Sequence, residues 1–228
     1  MIRLRCLLFI TLSTTALSGL ADMFVDRSIV VFDPDSQPKQ DVKVRNTGTD
    51  NIYVQVDVLA VSRPGEDDEV REKVSDPKLL TLIATPNKLV VPPGGQKLVR
   101  IVNLQASNDV ERIYRINVTP IVPPLDDENS QLRIVVAYQI LTIILPNLPD
   151  SKLEVARDGK QITFSNKGNA NILFSDGIQC KADDPNTCEE LTTKRLYAGN
   201  TWTLPLPFDA PVSFSIRDFE GIKKQVFP

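Results

Sequence analysis

The chain has 228 residues, a formal net charge of −3 and no histidine, and 42% of its residues are hydrophobic. Without histidine there is no Ser-His-Asp triad, and the most common general base and metal ligand are missing. The composition therefore favours a protein that is not an enzyme and that holds no metal or cofactor. The acidic balance argues against a nucleic-acid binder, which is normally basic.

The first 21 residues have the composition of a secretory signal peptide. Arg3 and Arg5 precede a short apolar run at 6–12, and a series of small residues ends at Ala21. The apolar run is much shorter than the ~20 residues that a membrane span requires. Cleavage after Ala21 removes two basic and no acidic residues, so 24 basic and 29 acidic residues remain and the charge becomes −5. The sequence thus predicts an exported protein.

Residues 22–145 contain short runs rich in Val, Ile, Thr and Tyr, separated by Pro, Gly, Asn and Asp. Turn signals recur at roughly the 8–12-residue spacing that is typical of a β-sandwich. Strands are predicted at 23–32, 40–45, 52–62, 88–91, 96–104, 112–121 and 132–145. Seven strands form one immunoglobulin-like domain. Residues 65–78 are dense in charge, and we expect them to form a solvated excursion.

A second, smaller β-domain is predicted at residues 150–228. It follows residues 146–149, Pro-Asn-Leu-Pro, which can donate few hydrogen bonds and are interpreted as a linker. Strands are predicted at 152–156, 161–165, 171–175, 196–197, 201–206 and 212–217. The dipeptide Asp158-Gly159 predicts a hairpin with a type I′ turn. The predicted fold class is all-β, with two domains.

Cys180 and Cys188 are separated by seven residues and are the cysteines that remain after Cys6 leaves with the signal peptide. One close pair in an exported chain favours a disulfide that closes a loop. A two-thiol metal site is the alternative, but no further cluster of ligand residues surrounds the pair.

The predicted strand at 132–145 is longer than the usual five or six residues. Because successive side chains of a strand point to opposite faces, its even-numbered residues form one row of large apolar side chains on a single face. The row consists of Leu132, Ile134, Val136, Tyr138 and Ile140. Such a strand is either a central strand of the core or an edge that pairs with an incoming chain. The pattern by itself favours the core strand.

Several segments resemble the PapD-like periplasmic pilus chaperones. Residues 84–101, ATPNKLVVPPGGQKLVRI, are similar to the turn and following strand of that family, and residues 25–32 are similar to its first strand. Residues 112–117, RIYRIN, resemble the sixth strand in the form found in the alternate, CfaA-like branch. Residues 165–171, near the linker, also resemble the family, and the cysteine pair follows them. The resemblance spans nearly all of the chain after the signal peptide.

The resemblance implies two immunoglobulin-like sandwiches in an L shape, located in the periplasm. The seventh strand of the first sandwich would lend its apolar row to a pilus subunit, by the strand addition of which chaperone–pilin complexes are a known example. The chaperone would then deliver the subunit to an outer-membrane usher. Residues 123–130 resemble the mobile loop that precedes this strand. The alternative function is a structural or adhesive immunoglobulin-like component of the pilus, and a self-capping dimer of the free protein is left open.

The sequence departs from the family at the cations that anchor the subunit's terminal carboxylate. The better-known members use an Arg in the first strand and a Lys in the seventh, and these positions align with Ile29 and roughly Leu141 here. A guanidinium suits this task because it can hold both carboxylate oxygens. Arg115, present in the alternate branch, is the first candidate for the anchor, ahead of Arg100 and Arg27. Arg100 could instead form an ion pair that packs the two domains together.

Overall fold

The computed structural model describes residues 22–105, 109–122 and 135–228. The predicted signal peptide and the predicted mobile loop at 123–130 lie outside the described residues. Within the described ranges the chain forms strands and a single 3-10 turn, Pro77–Leu79, without an α-helix. No helix in this part of the chain is long and apolar enough to cross a membrane.

Ten strands before residue 146 form the two sheets of the first sandwich. The first sheet has the order β1-β3-β8-β6, and the second has the order β2-β10-β9-β4, with β5 and β7 also paired to β4. The bounds are β1 Met23–Val25, β2 Ile29–Phe32, β3 Lys39–Asn46, β4 Ile52–Ser62, β5 Val70–Glu72, β6 Leu82–Thr85, β7 Lys88–Val91, β8 Gln96–Asn103, β9 Arg112–Ile121 and β10 Tyr138–Ile144.

The first core lies between these two sheets and is built by alternation along each strand. In β9, Ile116 and Val118 are fully buried in this core, whereas Arg115 and Asn117 face the opposite side. Strands of both sheets contribute to the same cluster of buried Val, Ile, Leu and Phe side chains. Each fully buried side chain of this kind stabilises the fold by about 1.5–3 kcal/mol. The alternation of buried and outward-facing residues therefore identifies the face of the second sheet that lies outside this core.

The predicted first strand, residues 23–32, is two strands that belong to different sheets. β1 pairs antiparallel with β3 in the first sheet, and β2 pairs parallel with β10 in the second. Between them the Asp26 carboxylate accepts a hydrogen bond from the Lys43 backbone N–H at 2.8 Å. Because the chain changes sheets at this point, a single continuous strand was the wrong prediction.

The charged segment 65–78 is more ordered than predicted. It contains β5, which pairs with β4 through Val61 opposite Arg71, and it ends in the 3-10 turn that Asp76 caps. Strand β6, which follows, was also missed by the sequence analysis. β5 is only three residues long and all three residues are exposed, so no alternation marks it in the sequence.

The second sandwich contains one sheet of order β11-β12-β16 and another of order β14-β13-β17-β18, with β15 also paired to β13. Phe164, Phe174 and Phe214 are fully buried, and their rings lie within 6 Å of one another (4.7, 5.5 and 5.9 Å between centroids). The bounds are β11 Leu153–Asp158, β12 Gln161–Asn166, β13 Ile172–Cys180, β14 Cys188–Leu191, β15 Lys194–Leu196, β16 Thr201–Pro205, β17 Val212–Asp218 and β18 Gly221–Phe227.

Two local predictions in this sandwich can be compared with the structure. The β11–β12 hairpin is present, but of its central residues only Gly159 has a positive φ, 52°. Type I′ requires positive φ at both central positions, so the predicted turn type was wrong. The disulfide between Cys180 and Cys188 is confirmed, and it joins directly opposed residues of β13 and β14.

An apolar cluster connects the two sandwiches. Ile113, Ile143 and Leu145 of the first sandwich pack with Ala170 and Tyr197 of the second, all of them buried. Adding a Cβ to Gly65 would bring it within 2.9 Å of the Tyr197 ring, so a glycine is required at this close approach. The second sheet of the first sandwich therefore has its outer face partly covered by the second sandwich.

A buried carboxylate adds polar contacts to this junction. Glu111 accepts hydrogen bonds from the Asn171 backbone N–H at 2.9 Å, from Asn171 Nδ2 at 2.5 Å and from the Ala198 backbone N–H at 3.1 Å. Asn171 Oδ1 in turn accepts a hydrogen bond from Arg195. These bonds satisfy a carboxylate that is only 8% exposed.

Candidate functional site

The predicted donor strand is not continuous over its whole length. β10 begins at Tyr138, and residues 135–137 do not belong to a strand. Tyr138 faces Val118 of β9 and is the last residue on this side of the ladder. Two residues beyond Val118 on β9 lies Pro120, which has no N–H to donate. The prediction of one strand through 135–137 was therefore wrong.

The five predicted donor residues fall into separate environments. Ile140 is 1% exposed and belongs to the first core. Tyr138 is half-buried against that core, and its hydroxyl donates to the Met23 carbonyl oxygen at 2.9 Å. Val136 is half-buried ahead of the strand. Leu132 and Ile134 lie outside the described residues. Since Ile140 already packs within its own sandwich, it is a core residue in this structure.

In the part of the chain that the structure describes, β9 extends past the start of β10 and has strand pairing on one side only there. Residues 119–121 pair with β4 but have no partner among the described residues of β10. A cavity of 320 Å³ lies there, with exposed apolar side chains in its lining. The exposed apolar residues of the lining are Tyr53, Ile121, Val122 and Val135. An open edge next to exposed apolar residues is a surface that can pair with another chain.

The outer face of the second sheet, defined here as the side opposite the first core, is organised in three rows. The row nearest the second sandwich is apolar and includes Ile113 and Ile143. The middle row runs across four strands. The residues of the middle row are Leu59, Arg115, Leu141 and Ile29. The third row is polar, with Asp57, Asn117 and Gln139 directly opposite one another.

Arg115 is the cation of the middle row. It lies on β9 between Leu59 and Leu141, and Leu141 in turn faces Ile29. Its Nε is buried, and the side chain makes no hydrogen bond or ion pair with any described residue. Ile29 and Leu141, which the sequence analysis aligned (Leu141 only roughly) with the anchoring cations of the resembled family, occupy the same row as Arg115. A half-buried guanidinium without a partner can still receive an anion.

The electrostatic field of Arg115 extends to the groups around it. Burial raises the pKa of the Tyr197 hydroxyl, while the nearby charges of Arg115 and Arg195 act in the opposite direction. Partial burial acts to raise the pKa of Glu69, but hydrogen bonds from Gly65 and Arg71 and the charge of Arg115 outweigh it, and the pKa is lowered. Arg115 thus favours the charged forms of both Tyr197 and Glu69.

The other two candidate anchors, Arg100 and Arg27, each lie beside an acidic residue. Arg100 forms a two-pronged ion pair with Asp41, with both Nε and Nη2 at 2.8 Å from the carboxylate oxygens. Both residues belong to the first sheet, on neighbouring strands β8 and β3, so the ion pair does not pack one domain on the other. The hydrogen bond from Arg100 lowers the pKa of Asp41. Arg27 is exposed and lies 3.4 Å from its neighbour Asp26.

Sequence reasoning missed several polar residues of this region. Arg71 and Glu69 come from the charged segment that was predicted to be solvated, and Glu111 precedes β9 without any motif around it. Their positions depend on contacts with residues far along the chain, such as Gln139 and Asn171. No local signal in the sequence marks them. Among the described residues, no group of His, Cys, Asp or Glu could hold a metal ion.

The described residues form two β-sandwiches, with residues 119–121 of β9 paired on one side only and with Arg115 on the outer face of the same sheet. Residues 22–149 match the family model described as pili and flagellar-assembly chaperone, PapD N-terminal domain. Because the match covers more than half of the chain, the chain belongs to this family of pilus-assembly chaperones. The membership favours the chaperone over the structural or adhesive pilus component.

Individual relatives agree with the family assignment. The chain is 27% identical over 172 residues to the B subunit of CS1 fimbriae from Escherichia coli, covering 71% of each chain. It is 24% identical over 195 residues to the A subunit of CFA/I fimbriae from Escherichia coli, covering 81% of each.

Solved structures show the same fold. The class 5 fimbriae chaperone CfaA matches with a TM-score of 0.64 and 20% identity, over 90% of this chain and 99% of that one. A Salmonella enterica structure of the SafA pilin with the SafB chaperone matches with a TM-score of 0.67 and 12% identity, over 92% and 97%. The predicted fold class of two immunoglobulin-like sandwiches and the resemblance to the CfaA-like branch are confirmed.

Proposed function

We propose that this chain acts in the periplasm as a chaperone that donates a β-strand to cap a fimbrial subunit, which it then delivers to an outer-membrane usher. The observation that carries the proposal is the start of β10 at Tyr138, beside three residues of β9 that pair only with β4 among the described strands. Residues 135–137, directly ahead of β10, belong to no strand, which supports the proposal that this part of the chain is available to a partner. The apolar row that precedes Tyr138 is the part of the chain that the proposal assigns to the subunit.

The burial of Ile140 narrows the proposed donor row to Leu132, Ile134 and Val136, with Tyr138 at its boundary. Alternate side chains of this row would fill the groove of a subunit that lacks a strand, while the backbone pairs with the subunit's open edge. Each backbone hydrogen bond contributes about 0.5–1.5 kcal/mol net, and apolar burial adds about 25 cal/mol per Å². Because capping relies on burial and pairing alone, the mechanism needs no nucleotide and has no turnover.

Arg115 is the proposed anchor for the terminal carboxylate of the subunit. Support for this proposal comes from its position opposite Leu141, which the sequence resemblance aligns roughly with one anchoring cation of the family. Leu59 and Leu141 flank it and reduce its contact with water, which strengthens a charged hydrogen bond. A carboxylate held here would fix the register of the subunit strand against β10, since a shift of one residue would reverse its faces.

The experiment is co-expression in the periplasm with a candidate pilin, followed by copurification on the tagged pilin. The double variant Ile134→Asp, Val136→Asp is expected to lose the complex, because two charges would enter an apolar groove. The control is the double variant Val90→Asp, Val226→Asp, which places the same charges at valines that are 44% and 61% exposed elsewhere. Circular dichroism checks that both variants fold. Undiminished copurification of the first variant would show that the donor assignment is wrong.

A further inference from the structure

Arg71 reaches across the outer face of the second sheet to the region of Arg115. Its Nη1 donates to Gln139 Oε1 at 3.0 Å, although β5 and β10 are separated by β4 and β9 in the sheet. Gln139 Nε2 donates to Asn117 Oδ1 at 2.9 Å, which fixes the amide that receives Arg71. Gln139 is two residues from Leu141, the residue opposite Arg115. The two guanidinium groups are therefore brought to neighbouring rows of one face.

The charges on this face leave one positive charge in excess. The Arg71 Nε bonds to Glu69 Oε1 at 2.6 Å, and Lys73 Nζ bonds to Asp57 Oδ1 at 2.5 Å. With Arg115 there are three cations and two carboxylates in this group of described residues. Glu69 is itself held by the Gly65 backbone N–H, which donates to its Oε2 at 2.7 Å. One added carboxylate would balance the group.

We propose that Arg71 is the second cation of the carboxylate site, so that Arg71 and Arg115 together hold the terminal carboxylate of the subunit. Glu69 keeps Arg71 in place when no subunit is bound. The Nη2 of Arg71 makes no hydrogen bond to a described residue and is available to an incoming oxygen. This inference rests on the proposed function and adds to it the residue that replaces the missing second cation of the family.

The paired arrangement would make the site selective for a chain end. A single guanidinium can also bind the side chain of an acidic residue, whereas two cations from different strands favour an anion presented at one point between them. The amides of Asn117 and Gln139, in the third row, lie beside the two cations and offer neutral hydrogen-bonding groups. We expect the protein to distinguish a free C-terminal carboxylate from the same peptide ending in an amide.

The test measures binding of one synthetic peptide in two forms to the full-length mature chaperone. The peptide has the sequence of the C-terminal strand of a candidate pilin, with either a free carboxyl group or a C-terminal amide. Wild type, Arg71→Ala, Arg115→Ala and the control Arg63→Ala are compared by calorimetry. Arg63 is an exposed arginine of the neighbouring turn, paired with Asp68 at 2.6 Å. Its replacement by Ala lowers the net charge by one, as the replacement of Arg71 or Arg115 does.

We expect Arg71→Ala to bind the free-acid peptide about tenfold more weakly and the amide peptide equally well. Arg63→Ala should leave both affinities unchanged. Equal losses in Arg71→Ala and Arg63→Ala, or an unchanged preference for the acid in Arg71→Ala, would overturn the inference. If Arg115→Ala alone loses the preference, the anchor of the proposed function stands and the role of Arg71 does not. Absence of any preference in wild type would overturn both.

A second variant guards against an effect on folding. Arg71→Lys keeps the charge but loses the planar group that bonds Glu69 and Gln139 at the same time. It should retain part of the preference for the free acid, with a thermal midpoint close to that of wild type. If Arg71→Lys behaves like Arg63→Ala in both peptides, the geometric role assigned to Arg71 is wrong.

Discussion

At the scale of single residues, Glu111 shows how burial sets the behaviour of a charged group. Burial raises the pKa of its carboxyl above the ordinary 4.5, although hydrogen bonds from Asn171 and Ala198 and the charge of Arg195 act in the opposite direction. Burial likewise lowers the pKa of Arg195. In the pH range between 4.5 and the raised pKa, the folded chain retains on Glu111 a proton that the unfolded chain releases. Stability from this group is therefore present below about pH 4.5 and is lost as pH rises through the raised pKa.

The variant Glu111→Gln tests this linkage. It should be less stable than wild type at every pH, by about 1–3 kcal/mol, because an amide nitrogen would face backbone donors. The difference in thermal midpoint should be largest near and below pH 4.5 and should narrow as pH rises. Thermal melts across this range, with the exposed Glu72→Gln as control, provide the measurement. A difference that widens with pH would contradict the raised pKa.

At the scale of elements, β10 and the residues directly before it have different environments. From Tyr138 onward its even-numbered residues face the first core, and Ile143 with its odd-numbered neighbours faces the second sandwich. From Ile140 onward the strand is buried on both sides, as in a central strand. Ahead of Tyr138, Val135 is 43% exposed and the strand ends. The structure thus confirms the core strand from Tyr138 onward, while the donor strand remains a proposal for the residues that precede it.

Substitutions on either side of Tyr138 should separate stability from binding. Ile140→Ala removes a fully buried side chain and should cost about 2–5 kcal/mol of unfolding free energy. Val136→Ala, at a half-buried position outside the strand, should cost less than about 1 kcal/mol and should weaken subunit capture. Urea unfolding and copurification with a candidate pilin measure the two effects. Equal stability losses would mean that residue 136 belongs to the core.

At the scale of the whole molecule, the two sandwiches are joined through a small set of contacts. Tyr197 is 4% exposed in the cluster that includes Ile143, and Asn200 donates to the Pro64 carbonyl oxygen at 2.8 Å. Lys194 reaches the Gly65 carbonyl oxygen at 3.4 Å. These contacts hold the outer face of the second sheet at a fixed distance from the second sandwich. Removing them should uncouple the unfolding of the two units.

Tyr197→Ala should therefore lower the thermal midpoint and divide unfolding into two transitions. Loss of a large buried ring costs about 3–5 kcal/mol, and here it weakens the contact between the two sandwiches as well as the packing within one. Differential scanning calorimetry measures the number of transitions. Tyr53→Ala is the control, because Tyr53 is 54% exposed on β4. A single transition that merely shifts would show that the two sandwiches are coupled by other contacts.

The sequence by itself determined the elements whose signal is local. The bounds of β4, β7 and β9 were predicted correctly, because alternation and flanking turn residues mark both ends of each strand. The disulfide followed from the export signal and the cysteine spacing. The family resemblance added the choice of Arg115, which the structure places in the middle row without a partner among the described residues.

Only the tertiary structure decided the features that depend on distant partners. Three such features are the division of residues 23–32 between two sheets, the start of β10 at Tyr138 and the hydrogen bond from Arg71 to Gln139. All of them are set by contacts between residues far apart in the chain. A run of apolar residues has the same sequence pattern whether or not a neighbouring strand pairs with it. Register and sheet membership therefore settle which described part of the run belongs to the core.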